Sequence, residues 1–481
     1  MIPHLVHRLL LCAVLFSAAC ATHSADRTPP LLQGEAALSE ADANVLMKSY
    51  HAGPRPTDPV CADLNGDGYQ DIAVALKKQT LVVMLNDRNG GFSPPVQYET
   101  FPHNTSLTAA DIDGDGDPDL VALTEVKVGP FFLNDGKGNF TRHDPDIPAL
   151  LYSWHIESAD LNNDSLPDLV VSSLQRPFLG ILINRGNLQF DSNRINLMPE
   201  LEEPDRRQFA SSPQTGAPSA EAAAKETGRE GKPLQEGEGA RVRKEDLSMV
   251  PPSGQTSSPD KTQEVQPTAG SGSQKWRYAK RVKALDNGFK DLVIGDINGD
   301  GSPDILTPSY VFDSLYVGLN DGKGNFQFAS IPVEPELPYE LGYALSSVAL
   351  LRYPGRTVPD VAVSSERDGR IYLFENNNGK LRQKGAIETN LKVPVRITAD
   401  DMNGDGLPDI AVTFAAPLPD DTKSTIQIWL NSRDGFLPGE SFRSEGQSIY
   451  LDTCRLSPGA LPSVVVSNVH EETLNIFRPV R

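Results

Sequence analysis

Residues 63–74 read DLNGDGYQDIAV, with oxygen-bearing side chains at positions one, three, five and nine, glycine at four and six, and an apolar run directly after. The string returns as DIDGDGDPDLVA from Asp111, DLNNDSLPDLVV from Asp160, DINGDGSPDILT from Asp296 and DMNGDGLPDIAV from Asp401. Two eroded copies, RYPGRTVPDVAV from Arg352 and RLSPGALPSVVV from Arg455, keep the turn and lose the loop carboxylates. The seven starts are spaced by about fifty residues, with one long interruption between the third and the fourth.

Between these loops a second signature recurs: LVVMLNDRNGGF ending at Phe92, FFLNDGKGNF at Phe140, ILINRGNLQF at Phe190, LYVGLNDGKGNF at Phe326, IYLFENNNGK before Leu381 and IQIWLNSRDGF at Phe436. Each is an alternating apolar strand running into an Asn/Asp/Gly turn. A unit therefore reads as a short strand into the Asp loop, a strand starting at the Pro-Asp step, a third ending in Leu-Asn and a variable fourth. Four antiparallel strands in a period of roughly 40 to 50 residues predict a propeller blade. The fold class expected is all-β: a seven-bladed β-propeller of four-stranded blades. Small residues ahead of the loops (Ala62, Ala110, Ala159, Gly295, Ala399) suit inner strands converging on an axis.

The two signatures, in that order, resemble the FG-GAP or VCBS repeats of integrin alpha-chain propellers and of secreted bacterial proteins, over about residues 60–200 and 285–481. That resemblance implies a seven-bladed propeller with calcium in the blade loops, and says little about a ligand.

The residues themselves also point to calcium. Four side-chain oxygens with a backbone carbonyl at position seven wrap a hard cation that takes six to eight oxygens, and glycine permits the tight turns. The expected ligands are Asp63, Asn65, Asp67 and Asp71; Asp111, Asp113, Asp115 and Asp119; Asp160, Asn162, Asp164 and Asp168; Asp296, Asn298, Asp300 and Asp304; and Asp401, Asn403, Asp405 and Asp409. In the third loop Asn163 and Ser165 replace both glycines, and Asn tolerates the left-handed backbone. An EF-hand is excluded, because position twelve holds Val74, Ala122, Val171, Thr307 or Val412 where a bidentate Glu is needed. About five structural calcium ions would offset half of a net charge of -20. The eroded units, with Arg352, Pro354 and Arg356 or Arg455, Ser457 and Gly459 at the ligand positions, are expected to be metal-free, their arginines bonding the loop.

Met1 to Cys20 reads as an export signal, with apolar Leu9 to Phe16 followed by Ser17-Ala18-Ala19-Cys20. It resembles a bacterial lipoprotein signal in which Cys20 is lipidated. Ser17 departs from that pattern, and ordinary cleavage among the small residues is the alternative. Residues 21–43 would be a tether. The localisation expected is export, to a periplasmic or cell-surface position anchored at the outer membrane through the lipid alone. The mature chain has no apolar run long enough to span a bilayer, and its pI of about 4.8 argues against nucleic acid.

The seventh unit ends after its third strand, LNIF at Leu474–Phe477, so its fourth must come from elsewhere. Residues 44–54 are the candidate, although Asn44 to Tyr50 could equally begin a helix capped by Ser39. The propeller then occupies residues 44–198 (blades one to three with the closing strand) and 281–481 (blades four to seven). Residues 199–280 have the composition of disorder and fall between blades three and four as a tolerated insertion or a partner-binding arm, with Lys275 to Tyr278 as its contact. Cys61 and Cys454 are either two buried thiols or, because a ring makes their units neighbours, a disulfide across the seam.

The sequence lacks common hydrolase motifs. The expected role is a non-catalytic binding or adhesion module, monomeric, presenting a propeller end to a protein or glycan. The segments entering each first strand supply the candidate contacts His103, Tyr152, Trp154, His155, Tyr343 and Arg396, with Asn104, Phe289, Lys290 and Tyr450 beside them. Two alternatives are a polysaccharide lyase, drawing its base from His103 or His155, and a structural part of envelope assembly.

Overall fold

The computed structural model describes residues 46–197, 288–333, 344–389, 393–415, 423–445 and 448–478. The expected signal, tether and insert, with Cys20, Lys275 to Tyr278 and Tyr343, lie outside the described residues.

Within the described residues the chain forms seven four-stranded antiparallel sheets. Blade one comprises β2 (Pro56–Ala62), β3 (Asp71–Leu76), β4 (Thr80–Met84) and β5 (Val96–Glu99). Blade two is β6 (Asn104–Ala110), β7 (Asp119–Thr124), β8 (Val128–Asn134) and β9 (Phe140–His143). Blade three is β10 (Ser153–Ala159), β11 (Asp168–Ser173), β12 (Phe178–Asn184) and β13 (Phe190–Asn196). Blade four is β14 (Val293–Gly295), β15 (Asp304–Pro308), β16 (Ser314–Asn320) and β17 (Phe326–Pro332). Blade five is β18 (Leu345–Leu351), β19 (Asp360–Ser365), β20 (Arg370–Asn377) and β21 (Lys380–Glu388), and blade six β22 (Pro394–Asp400), β23 (Asp409–Phe414), β24 (Lys423–Ser432) and β25 (Gly435–Glu445).

Blade seven takes β26 (Ser448–Cys454), β27 (Ser463–Asn468) and β28 (Thr473–Arg478) from the C-terminal end and its outer strand, β1 (Leu46–His51), from the N-terminal end. Leu46 pairs with Arg478 and His51 with Thr473, so the strand alternative for this segment holds and the helix does not. The first strands touch in cyclic order, β2 on β6 through to β22 on β26 and β26 back on β2, which closes the ring. At the seam Cys61 is bonded to Cys454, with a Cα–Cα distance of 5.8 Å.

The sequence alternation explains the packing. In β3, Ile72, Val74 and Leu76 pack against blade seven, while Ala73 and Ala75 pack against blade two. Every second strand is sandwiched between two neighbours, so its residues are buried throughout, as in β7, β11 and β19. The outer strands β5 and β9 face solvent and carry the polar residues.

The 198–287 interval lies between blades three and four. Leu197 N–H donates to the Pro177 carbonyl at 2.9 Å, and Gly288 N–H to that of Leu174 at 2.8 Å. The chain thus departs from and returns to the same turn of blade three.

Candidate functional site

At one end of the ring the Asp loops form a repeated frame. The first carboxylate bridges the loop: Asp63 Oδ1 accepts from Asp67 N–H at 2.9 Å and Oδ2 from Gly68 N–H at 2.8 Å. Asp111, Asp160, Asp296 and Asp401 bridge their loops in the same way. Positions four and six are left-handed, and in the third loop Asn163 (φ 59°) and Ser165 (φ 72°) adopt the glycine conformation. In the second loop the carboxyl oxygens of Asp111, Asp113 and Asp115 lie within 4.8 Å of one another.

The ninth residue has a different task. Asp119 is fully buried, with Oδ2 accepting Ile112 N–H at 2.9 Å and Oδ1 accepting Asn134 N–H at 2.7 Å. Asp71, Asp168, Asp304 and Asp409 repeat this, tying loop to third strand. Burial pushes Asp71, Asp119, Asp168 and Asp409 up to about 6 despite those bonds, with the other loop carboxylates adding to the rise.

The Asn of each Leu-Asn step staples neighbouring blades. Asn134 donates to the Leu64 carbonyl of blade one at 2.8 Å, Asn184 to Ile112 of blade two, Asn320 to Leu161 of blade three and Asn376 to Ile297 of blade four. Asn86 reaches Leu456 of blade seven, and Asn431 meets the Tyr353 hydroxyl of eroded blade five. In that blade Arg356 bonds Asp360, at position nine, at 2.8 Å. In blade one Arg88 bonds Asp67 Oδ2 at 2.8 Å. Burial would raise the Asp67 carboxyl, and the Arg88 bond outweighs it.

Along the axis lies a second constellation. Five residues ahead of each loop stand Asp58, Ser106, His155, Asp291, Ser347, Arg396 and Tyr450, one from each blade. In six blades a register irregularity between first and second strands falls beside this residue, the kind of bulge that re-aims a side chain. Asp58 holds His155 Nδ1 at 3.2 Å and Arg396 at 3.1 Å; Asp291 holds Arg396 at 2.8 Å and lies 3.5 Å from His155 Nε2. Three of these pairs, Asp58–His155, Asp58–Arg396 and Asp291–Arg396, join blades that are not neighbours, so they cross the axis. Ser106 and Ser347 complete the cluster on His155 and Asp291, and Glu157 approaches His155 Nε2 at 3.3 Å.

Burial and the Arg396 charge oppose protonation of His155, but the bonds from Asp58 and Glu157 and the field of Asp291 push it up to about 10. Two cations and two anions therefore alternate in a closed clasp. Two residues further along β26, Asp452 is pushed up to about 7 by burial, with Glu157 and Asp58 adding to the rise.

At the opposite end from the Asp loops, main-chain bonds form a belt. Lys77 N–H donates to Arg55, His103 N–H to Lys77, Glu125 N–H to His103, Tyr152 N–H to Glu125, Leu174 N–H to Tyr152 and Gly288 N–H to Leu174. Arg55, His103, Tyr152, Ala344 and Val393, each eight residues before a loop, are all left-handed, with φ from 54° to 69°. This conformation turns each carbonyl toward the next link.

The FG-GAP-like repeat family matches residues 63–122 and 357–412, two stretches that contain the loops of blades one and two and the blade five-to-six junction. With the seven-bladed ring, that decides the family. The chain is an FG-GAP-repeat propeller. No curated protein sequence matches it. Among solved structures it is similar to BBS1N in complex with ARL6DN, at 9% identity and a TM-score of 0.51, covering 91% of this chain and 98% of that one. An Agrocybe aegerita lectin described as recognising non-reducing terminal N-acetylglucosamine matches at 16% identity and TM-score 0.44, over 80% of each chain. Saccharomyces cerevisiae Sqt1 matches at 11% and 0.46, over 88% and 83%. At these identities the likeness is one of fold.

The FG-GAP propeller separates the residues expected to contact a ligand. His103 and Tyr152 stand on the belt with exposed side chains, and Trp154 lies beside them under the Lys77 ammonium, 5.5 Å from the ring centre. Phe289 is buried between blades three and four, and Lys290 pairs with Glu366 at 3.1 Å. His155 and Arg396 face inward and hold each other's acids, so they are not surface contacts as expected; the bulge ahead of each turned them to the axis. Asp58, Asp291, Ser106 and Ser347 went unnoticed in the sequence. Aligning the units on their loops would have found them, as a column of seven polar residues within apolar strands.

Proposed function

We propose that this chain is an exported, calcium-stabilised propeller acting as a non-catalytic binding module at the cell envelope, held there through lipidated Cys20 and engaging a protein or glycan partner at one end of the ring. The observation that carries the calcium reading is the convergence of Asp111, Asp113 and Asp115 within 4.8 Å, on a frame repeated in five blades. The donors are all hard oxygens, which suits calcium. The Asp113 carboxyl is raised by burial and by the Asp115 charge, so it lacks a compensating cation that a divalent ion would supply. Positions one, three and five would hold the ion; the ninth carboxylate, engaged by two N–H groups, would fix the loop around it and use its remaining lone pairs. The bound ion would supply charge neutralisation and loop rigidity.

The binding role is supported by the belt end, where exposed side chains stand on rigid backbone. Of the two candidate bases of the lyase reading, His155 is unsuited, since it contacts acids at both nitrogens and is pushed up to about 10, so it accepts no proton at neutral pH; His103 stands exposed on the belt. Calorimetry with the purified mature chain tests the calcium reading: saturable binding of several ions, with a thermal midpoint that falls on chelation, is expected. Absence of binding at millimolar calcium refutes it. Mass spectrometry of the mature N-terminus tests Cys20, a diacylglyceryl adduct being the expected result.

A further inference from the structure

The belt end carries two cations that form no ion pair among the described residues. The side chains of Arg55 and Lys77 make no hydrogen bond and no ion pair with any described residue. They are linked through the backbone, Lys77 N–H on the Arg55 carbonyl at 3.1 Å, so neither can drift from the other. Lys77 is half-buried, and burial first and the Arg55 charge second hold its ammonium below the usual range. Its ammonium lies over the face of Trp154, and the charges of Glu125 and Asp58 act weakly in its favour.

Behind them lies Tyr450, 4% exposed, whose hydroxyl has no hydrogen-bond partner among the described residues. It belongs to the axial column of Asp58 and Arg396, five residues ahead of its loop and beside a bulge of β26, three residues inward of the belt position, and burial raises its phenol. The Lys77 ammonium and the Tyr450 hydroxyl are both donors, and the clasp beneath them is already closed. One carboxylate, Glu125, stands on the rim, where it is exposed.

Next along the belt is an apolar patch. Val126 is 51% exposed, Leu151 54% and Tyr152 39%, three of the six large apolar side chains most exposed among the described residues. Tyr152 N–H donates to the carbonyl of Glu125 at 2.6 Å, which brings Val126 against the Leu151-Tyr152 pair. Val126 and Leu151 give the patch an aliphatic part that suits the apolar side chains of a peptide, and Tyr152 and Trp154 add aromatic faces that a peptide or a sugar could use.

We propose that this mouth takes a carboxylate from an extended segment of a partner protein, Arg55 and Lys77 holding the charge, Tyr450 donating to it, and Val126, Leu151 and Tyr152 receiving adjoining apolar side chains. This rests on the binding-module reading and names the partner's chemistry. The residues differ from the calcium frame and lie at the other end of the ring, so the two readings fail separately.

The test is selection of a random peptide display library on the calcium-loaded chain, followed by affinity measurement of the enriched peptides with wild type, Lys77→Glu, Arg55→Glu and Tyr450→Phe, and with polygalacturonate as competitor. Enriched peptides are expected to carry Asp or Glu beside Leu, Ile or Phe, to weaken about tenfold or more in each charge reversal and severalfold in Tyr450→Phe, and to weaken with salt. Arg55 is exposed, so its variant reports on the site even if Lys77→Glu unfolds the ring. Enriched peptides without an acidic residue, or with unchanged affinity in Arg55→Glu and a folded Lys77→Glu, overturn the proposal. So does an absence of enrichment, and polygalacturonate binding that vanishes in these variants without any peptide binding assigns the mouth to a glycan instead. An unchanged calcium-dependent thermal shift in any of these cases leaves the calcium reading standing, and polygalacturonate binding without peptide binding leaves the binding-module reading standing.

Discussion

Replacing Arg396 by Met would open the clasp while keeping most of the side-chain volume. Arg396 is 12% exposed and bonds Asp58 at 3.1 Å and Asp291 at 2.8 Å, themselves 7% and 6% exposed. Burial raises the Asp58 carboxyl, but the Arg396 charge, helped by the His155 bond, holds it below its ordinary value. Without the guanidinium, two buried acids share a single imidazolium that Glu157 also draws upon. Breaking a buried pair by removing one partner costs about 3–5 kcal/mol, most of it from the charge left behind. The same arithmetic makes the triple variant Arg396→Met, Asp58→Asn, Asp291→Asn recover most of that loss, because no uncompensated carboxylate remains. Urea unfolding at neutral pH in saturating calcium, followed by tryptophan fluorescence, measures both. A single variant within about 0.5 kcal/mol of wild type, or a triple variant no better than the single, would show that these side chains do not act as one network.

The His155 proton gives the clasp a pH dependence. Its value rises from 6.5 to about 10 on folding, so its contribution is complete below about pH 6.5 and is lost as pH climbs through about 10. The urea midpoint of wild type should therefore drop across that alkaline interval more than that of His155→Gln, and parallel curves would contradict the assignment. Reduction of Cys61–Cys454, or its replacement by serines, releases a crosslink between residues 393 apart. Chain entropy sets an upper value of ~5–6 kcal/mol, read as a lower urea midpoint with reductant and refuted by equal midpoints. Arg88→Ala should strengthen calcium binding at the first loop alone, by about two- to fivefold, since an exposed guanidinium no longer occupies Asp67. Calorimetric isotherms identical to wild type would exclude that competition.

The blades were legible in the sequence because the features that build them recur. Loop aspartates, glycines and the Leu-Asn step serve the same local bonds in every unit, so repetition exposes them. The closing strand was ambiguous locally, since residues 44–50 suit a helix as well; a ladder left open on β28 decided it, a long-range requirement. The clasp was hidden for the opposite reason. Its seven positions carry Asp, Ser, His, Asp, Ser, Arg and Tyr, so no single residue type runs through the column, and the charges meet only when the ring brings blades one, three, four and six to a common axis. His155 and Arg396 were visible as unusual residues, but their orientation was not, because it depends on a bulge that no short motif encodes.

The seam also fixes how the ring would bear a mechanical load. A pull on the chain ahead of Leu46 meets first the six-residue ladder of β1 on β28, which opens one rung at a time. Unravelling then runs into β2 and stops at Cys61, where the force passes through sulfur into Cys454 and the inner strand of blade seven. Slack is thereby limited to the short stretch between Leu46 and Cys61.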